Sequence, residues 1–235
     1  MTEYVTRFNG RQRTEHIAVM SLFLVLSLTG LPQKFYQAGW AETIILWMGG
    51  IDRVRWVHRA AGILFTLLTF THLTTAIGLV VTGRSQLSLV PTRKDFTDAI
   101  VTLRYYLGMS DLKARFGRFD YRQKFEYWGL VLGAVIVILT GLTLYFPLFV
   151  ARFLPGELIP AAKLAHGNEA LMAFLVVIVW HIYNAHLSPD VFPFDTSIFT
   201  GKVTRERLEH EHPLEWAEIE ERRRRGHGGQ NVWVK

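Results

Sequence analysis

The 235-residue sequence contains no cysteine. That absence excludes disulfides, thiolate ligation of a metal, cysteine-held iron–sulfur clusters and covalent heme attachment through a CxxCH motif. Any redox centre in this chain has to be held by histidine. No GxGxxG fingerprint and no phosphate-binding loop occurs, so dinucleotide or nucleoside triphosphate binding has no basis in the sequence. No alternating apolar–polar strand pattern is present, which argues against a membrane β-barrel. No small-residue cleavage site follows the first apolar block, so no cleavable signal is expected; Gly30-Leu31-Pro32 reads instead as the end of a helix. No internal repeat is evident.

Half of the residues are hydrophobic, and they are gathered into four blocks, about 15–31, 57–81, 127–149 and 166–187. Each approaches the ~20 apolar residues that a helix needs to cross a bilayer. The fold class expected is all-α: an integral membrane four-helix bundle with amphipathic interfacial helices. Within the connections, Glu42–Met48 fits a short interfacial helix anchored by Trp40 and Trp47. Asp95–Leu107 fits an amphipathic helix that begins after Pro91 and stops at Gly108.

The net charge of +6 is distributed by topology, so it gives no reason to expect nucleic acid as a partner. Nine Lys and Arg residues lie between Arg84 and Lys124 and eight in the C-terminal tail, whereas the loop between the third and fourth blocks has only Arg152 and Lys163. The positive-inside rule then puts both termini and the middle segment in the cytoplasm of a prokaryotic inner membrane, with lipid as the surrounding partner. The expected division is a transmembrane domain, 1–187, and a charged cytoplasmic tail, 188–235, whose last dozen residues are expected to be disordered.

Six of the nine histidines, His16, His58, His72, His166, His181 and His186, lie in or at the edge of the apolar blocks. Ionisable residues inside a membrane are costly and mark function by default. A single one can still be a satisfied hydrogen-bonding group between helices, but two pairs share one spacing. His58 and His72 are fourteen residues apart, His166 and His181 fifteen. At ~1.5 Å and ~100° per residue, fourteen residues span about 21 Å and fall about 40° short of four turns, while fifteen overshoot by about 60°. Each helix thus carries histidines on nearly one face at two depths. A zinc-type centre needs three or four ligands around one ion and does not suit that separation. Two stacked hemes, each taking two axial imidazoles, do. The tail histidines His210, His212 and His227 are expected to be solvated.

The segments GRFDYRQKFEYW, LAHGNEALMAF, WHIY and GKVTRERLEHEHPLEWAEIEE, with the order of the spans, carry a resemblance over nearly the whole chain. The sequence resembles the cytochrome b (gamma) subunits of respiratory formate dehydrogenases and nickel–iron hydrogenases. The resemblance implies four helices holding two heme b groups, with His58 and His166 on the outer iron and His16 and His181 on the inner one. His72 is extra relative to that pattern, and a cytochrome bc-like scheme would pair it with His181. The inner partner of His181 is therefore His16 or His72, with His16 favoured. The spare inner histidines and His186 leave room, by count, for a third heme.

The same resemblance implies a quinone, menaquinone or ubiquinone, bound near Asp120, Arg122, Gln123 and His181. Asp120 stands where the family has an amide, and a carboxylate there could exchange a proton with quinol; the alternative is a solvated loop carboxylate or a salt bridge to Arg118 or Arg122. The function implied is electron transfer between the quinone pool and an outer-face redox subunit: an iron–sulfur protein, a molybdenum enzyme, a hydrogenase or a multiheme cytochrome c. A stand-alone b-type superoxide or ferric reductase and a heme-free anchor are the competing readings.

Overall fold

The structure is a computed structural model that describes residues 2–83, 87–189 and 191–226. Four helices are long and apolar enough to cross a membrane. They are α1 (Gly10–Lys34), α3 (Ile51–Val81), α5 (Tyr121–Tyr145) and a fourth over Leu158–Leu187. Short helices α2 (Gly39–Trp47) and α4 (Arg93–Tyr106) occupy the connections where amphipathic helices are expected. A four-residue turn of helix, α6 (Pro147–Val150), follows α5. The helices extend beyond the apolar blocks, α3 starting at Ile51 and the fourth span at Leu158, while α5 ends earlier, at Tyr145. Helix α1 runs past Gly30 and carries Pro32 inside its last turn, where the missing N–H removes a single i→i−4 hydrogen bond. Helix α5 starts at Tyr121 and absorbs the charged RQKFEYW stretch as its first two turns.

The fourth span is not α-helical throughout. It begins as α7 (Leu158–Leu175) and continues as π-helical turns over Val176–His181 and Tyr183–Leu187. A π-turn takes more residues per revolution than an α-turn. The ~60° overshoot expected between His166 and His181 is reduced accordingly, which returns the two imidazoles toward a common face.

The chain divides into two compact units. One holds Thr14–Val81 and Leu130–Phe194, and so most of the four spans. Its large apolar side chains point outward: Leu28, Leu64, Leu67, Phe70, Leu132, Leu139 and Val179 are all exposed. A water-soluble protein does not sustain such a surface, whereas lipid accepts it.

The other unit holds Met1–Arg13, Thr82–Gly129 and Asp195–Lys235. Strand β1 (Tyr4–Thr6) pairs antiparallel with β2 (Lys202–Thr204), Val5 opposite Val203. These two valines bury with Leu208 and Trp216, from α9 (Arg205–Glu211) and α10 (Pro213–Arg224), as a small apolar core. A short helix, α8 (Ser197–Thr200), leads into β2 through Gly201 at φ 79°. A side chain at Gly201 would lie 2.6 Å from the Phe8 carbonyl oxygen, so glycine is required on both counts. Of the last dozen residues, expected to be disordered, Arg224 instead closes α10. Arg222 and Arg224 pair with Glu218 and Glu220 one turn earlier, the favoured acid-before-base order. Residues 227–235, with His227 and the rest of that expectation, lie outside the described residues.

Candidate functional site

Six histidines enter the spans, and the structure brings four of them together as two pairs. The rings of His58 (α3) and His166 (α7) have centroids 6.2 Å apart with planes at 84°. The rings of His16 (α1) and His181 have centroids 6.1 Å apart with planes at 34°. Each pair joins residues far apart in sequence, and the two pairs share the fourth span, fifteen residues apart. Two imidazoles holding one metal between them, each bonded at about 2 Å with its ring centre about 1.1 Å behind the nitrogen, would have centroids about 6.2 Å apart. Both pairs have that separation.

The hydrogen bonds of His58 and His166 fix which nitrogen is available. Thr29 Oγ1 donates to the Val25 carbonyl at 2.7 Å, so its contact with His58 Nδ1 at 2.9 Å is one in which it accepts. His58 therefore carries its proton on Nδ1. His166 Nδ1 lies 3.0 Å from the Val137 carbonyl and 3.2 Å from Thr140 Oγ1, whose own proton goes to Ile136 at 2.6 Å. His166 is protonated on Nδ1 by the same reasoning. Both rings thus present an unprotonated Nε2, the form that ligates iron, with the tautomer held by the neighbouring helix.

The same two helices make room for the rings. A Cβ on Gly30 would lie 3.1 Å from His58 Cε1, and one on Gly141 would lie 3.2 Å from His166 Cε1. Thr29-Gly30 and Thr140-Gly141 belong to one tetrapeptide, Leu-Thr-Gly-Leu, which occurs at 28–31 in α1 and at 139–142 in α5. Each copy supplies a hydroxyl to Nδ1 and a glycine to the ring edge. Sequence reasoning passed over it, and the repeated motif within two apolar helices is the signal that would have found it.

The remaining histidines have other neighbours. His72 Nδ1 donates to Glu15 Oε2 at 2.9 Å. His186 stacks on Phe194 with centroids 4.2 Å apart and planes at 2°. His212 was expected in solvent and is instead buried. Its Nδ1 donates to the Gly117 carbonyl at 2.6 Å, and its Nε2 accepts from Arg7 Nη2 at 3.0 Å. Burial, with Arg7 alongside, pushes its pKa down to about 3. Arg7 also donates to Glu215 at 2.9 Å, and Arg118 reaches the same carboxylate at 3.2 Å.

Asp120 is buried and stands at the N-terminus of α5. Its Oδ1 accepts from the Gln123 amide at 2.8 Å, while Gln123 Oε1 accepts from the Asp120 amide at 3.1 Å, a reciprocal capping box. Its Oδ2 takes both Nε (3.0 Å) and Nη2 (2.7 Å) of Arg122. Gln123 also borders a small cavity of about 60 Å³ together with Arg7, Asp195, Arg207, Glu211 and His212. Burial would raise the Asp195 pKa, but hydrogen bonds from Arg207 and Ser197 outweigh it and hold the carboxyl below its usual range.

Four membrane-length helices thus carry two histidine pairs whose ring centroids lie 6.1 and 6.2 Å apart, an arrangement suited to a membrane heme protein. The chain belongs to the prokaryotic cytochrome b561 family, which it matches over residues 7–190. It is similar to the cytochrome b556 subunit of the nitrate-inducible formate dehydrogenase of Escherichia coli, and equally to that of Shigella flexneri. The identity is 20% over 225 residues, 93% of each chain. The protein is thus a membrane b-type cytochrome of electron transfer, and its family implies heme b.

Proposed function

We propose that this chain is the diheme membrane subunit of a respiratory oxidoreductase, carrying electrons between a quinone and a redox partner. The observation that carries the reading is the double pairing: His58 with His166 and His16 with His181, each pair close enough that both rings would hold one heme iron. Two imidazoles per iron leave no open coordination position, so the hemes, when bound, supply one-electron transfer and not oxygen or substrate chemistry at the metal. The chain's own residues hold the rings. Thr29 keeps His58 in its Nδ1–H form, and Val137 and Thr140 do the same for His166. Gly30 and Gly141 let those rings lie against the helix backbone.

The uneven distribution of Lys and Arg supports both termini and the 84–120 segment on the cytoplasmic side of the inner membrane. His58 and His166 then serve the outer heme and His16 and His181 the inner one. His72, held by Glu15, is a neighbour of the inner site and not a ligand. The formate dehydrogenase relative supports a redox enzyme as the partner, which this reading assigns to the outer face. Quinone is assigned to the cytoplasmic side, with Asp120 as the group that exchanges its proton and Arg122 and Gln123 holding that carboxylate.

Affinity purification from native membranes tests the partnership. A stable outer-face subunit carrying iron–sulfur clusters, molybdenum, nickel or c-type heme is expected. A chain that purifies alone, with full heme and ferric or superoxide reductase activity, would overturn it.

A further inference from the structure

Helix α4 carries two faces of different character. On one, Asp95 and Asp98 are buried. Asp95 Oδ2 accepts from the Thr92 amide at 2.6 Å, closing the start of the helix, and Lys124 Nζ reaches the same carboxylate at 2.9 Å. On the other face, Phe96, Ile100, Leu103 and Leu107 are 71%, 55%, 58% and 63% exposed. Their spacing of four, three and four residues places them within about 60° of one another, as a single stripe. Arg93 and Arg104 flank it along one side, and both are exposed. The helix ends with Gly108 at φ 67°, where Met109 and Gly108 donate to the Arg104 and Tyr105 carbonyls, so the stripe terminates in a closed cap.

The level of this helix is set from within its own unit. Lys124, the partner of Asp95, lies in the first turn of α5, three residues before the apolar run of that span begins at Tyr127. Trp128 Nε1 donates to the Leu89 carbonyl at 2.9 Å, just upstream of α4. Phe125, between those two anchors, is 76% exposed. An aromatic pair and a lysine at the foot of a span mark the headgroup layer, and α4 is pinned to them by a buried ion pair.

We infer that α4 is a membrane-surface helix whose Phe96–Ile100–Leu103–Leu107 stripe embeds in the adjoining leaflet while Arg93 and Arg104 bind anionic lipid phosphates. Lipid is the occupant because the stripe is apolar, flanked by cations and held where the apolar part of a span begins. A free phosphate would satisfy the arginines and leave the stripe in water. The assignment depends on the spans, not on the electron-transfer reading, so heme content can be followed separately.

The chain has no cysteine, so Ile100→Cys, Leu103→Cys and Thr97→Cys each provide a unique spin-label position. Leu107→Cys, outside the ion pairs, is a second reporter of the stripe. Each labelled, heme-loaded full chain would be reconstituted in phosphatidylcholine vesicles with and without phosphatidylglycerol. Collision with oxygen would be compared with collision with a water-soluble nickel complex. Labels at 100, 103 and 107 are expected to favour oxygen and the label at 97 the nickel complex. Phosphatidylglycerol is expected to increase the bias at 100, and Arg93→Glu with Arg104→Glu to abolish that increase. Equal nickel access at all positions would overturn the inference. So would stripe labels that neither reagent reaches, since protein would then cover the stripe. An unchanged phosphatidylglycerol effect in the double variant would overturn the lipid-phosphate part.

Discussion

At the scale of single residues, the His58 and His166 rings depend on atoms that never touch a metal. A histidine offers Nε2 as a ligand only if its proton is kept on Nδ1, and a hydroxyl whose own proton is already given away does that. Thr29 is such a hydroxyl, committed to Val25 and therefore an acceptor toward His58. Thr29→Val keeps the shape and removes the hydroxyl acceptor, a loss of about 0.5–1.5 kcal/mol. The expected outcome is a heme affinity lowered by about 10- to 100-fold at that site, with the other site unaffected. Hemin titration of the heme-depleted protein measures it, and Thr29→Ser should restore the wild-type value. His212 makes the reverse case, an imidazole kept neutral by burial. Unfolded, it takes a proton near its ordinary pKa of 6.5; folded, only near about 3. Between those values the unfolded state binds the extra proton, so stability is full above about pH 6.5 and declines as the pH falls toward about 3. Protection of the Tyr4–Thr6 and Lys202–Thr204 amides against hydrogen exchange, expressed as opening free energy, should be lower at about pH 5 than at about pH 7.

At the scale of elements, the start of α5 separates two roles of Asp120. As an N-cap it needs only a side-chain oxygen for the Gln123 amide, whereas proton exchange needs an acid. Asp120→Ala should cost about 0.5–2 kcal/mol through the lost cap. Asp120→Asn should keep the cap and slow heme reduction by a quinol analogue without loss of heme; an unchanged rate would leave Asp120 with the cap alone. The elements show what the sequence makes legible. The four spans and α4 were legible because length, hydropathy and cap residues are local properties; Thr92, Asp95 and Gly108 behave as their residue types demand. That His16, and not His72, lies beside His181 was not legible from spacing alone, because two spans can rotate about their axes without changing the sequence pattern, and the π-turns of the fourth span alter the angular arithmetic. Nor was the environment of His212 legible. Its segment is densely charged, which in isolation describes a solvated tail, and only pairing with Arg7, two hundred residues away, buries it.

At the scale of the whole molecule, the two ends of the chain are joined by β1 and β2 and by a buried charge cluster in which Glu215 is shared by Arg7 and Arg118. Removing one member of such a cluster leaves a charge stranded, at about 3–5 kcal/mol, whereas replacing Arg7, Arg118 and Glu215 together with apolar residues of similar volume is far less costly. Arg7→Ala is therefore expected to release the C-terminal helices to protease while Arg7→Met with Arg118→Met and Glu215→Leu retains much of the protection. The central claim concerns the other unit: two irons, each held by two imidazoles, with His72 a neighbour. Heme stoichiometry by the pyridine hemochrome assay tests it most directly. The account predicts two hemes per chain in the wild type and in His72→Ala, and one in His58→Ala and in His16→Ala. Loss of a heme in His72→Ala with retention of both in His16→Ala would contradict it, as would full heme content in His58→Ala.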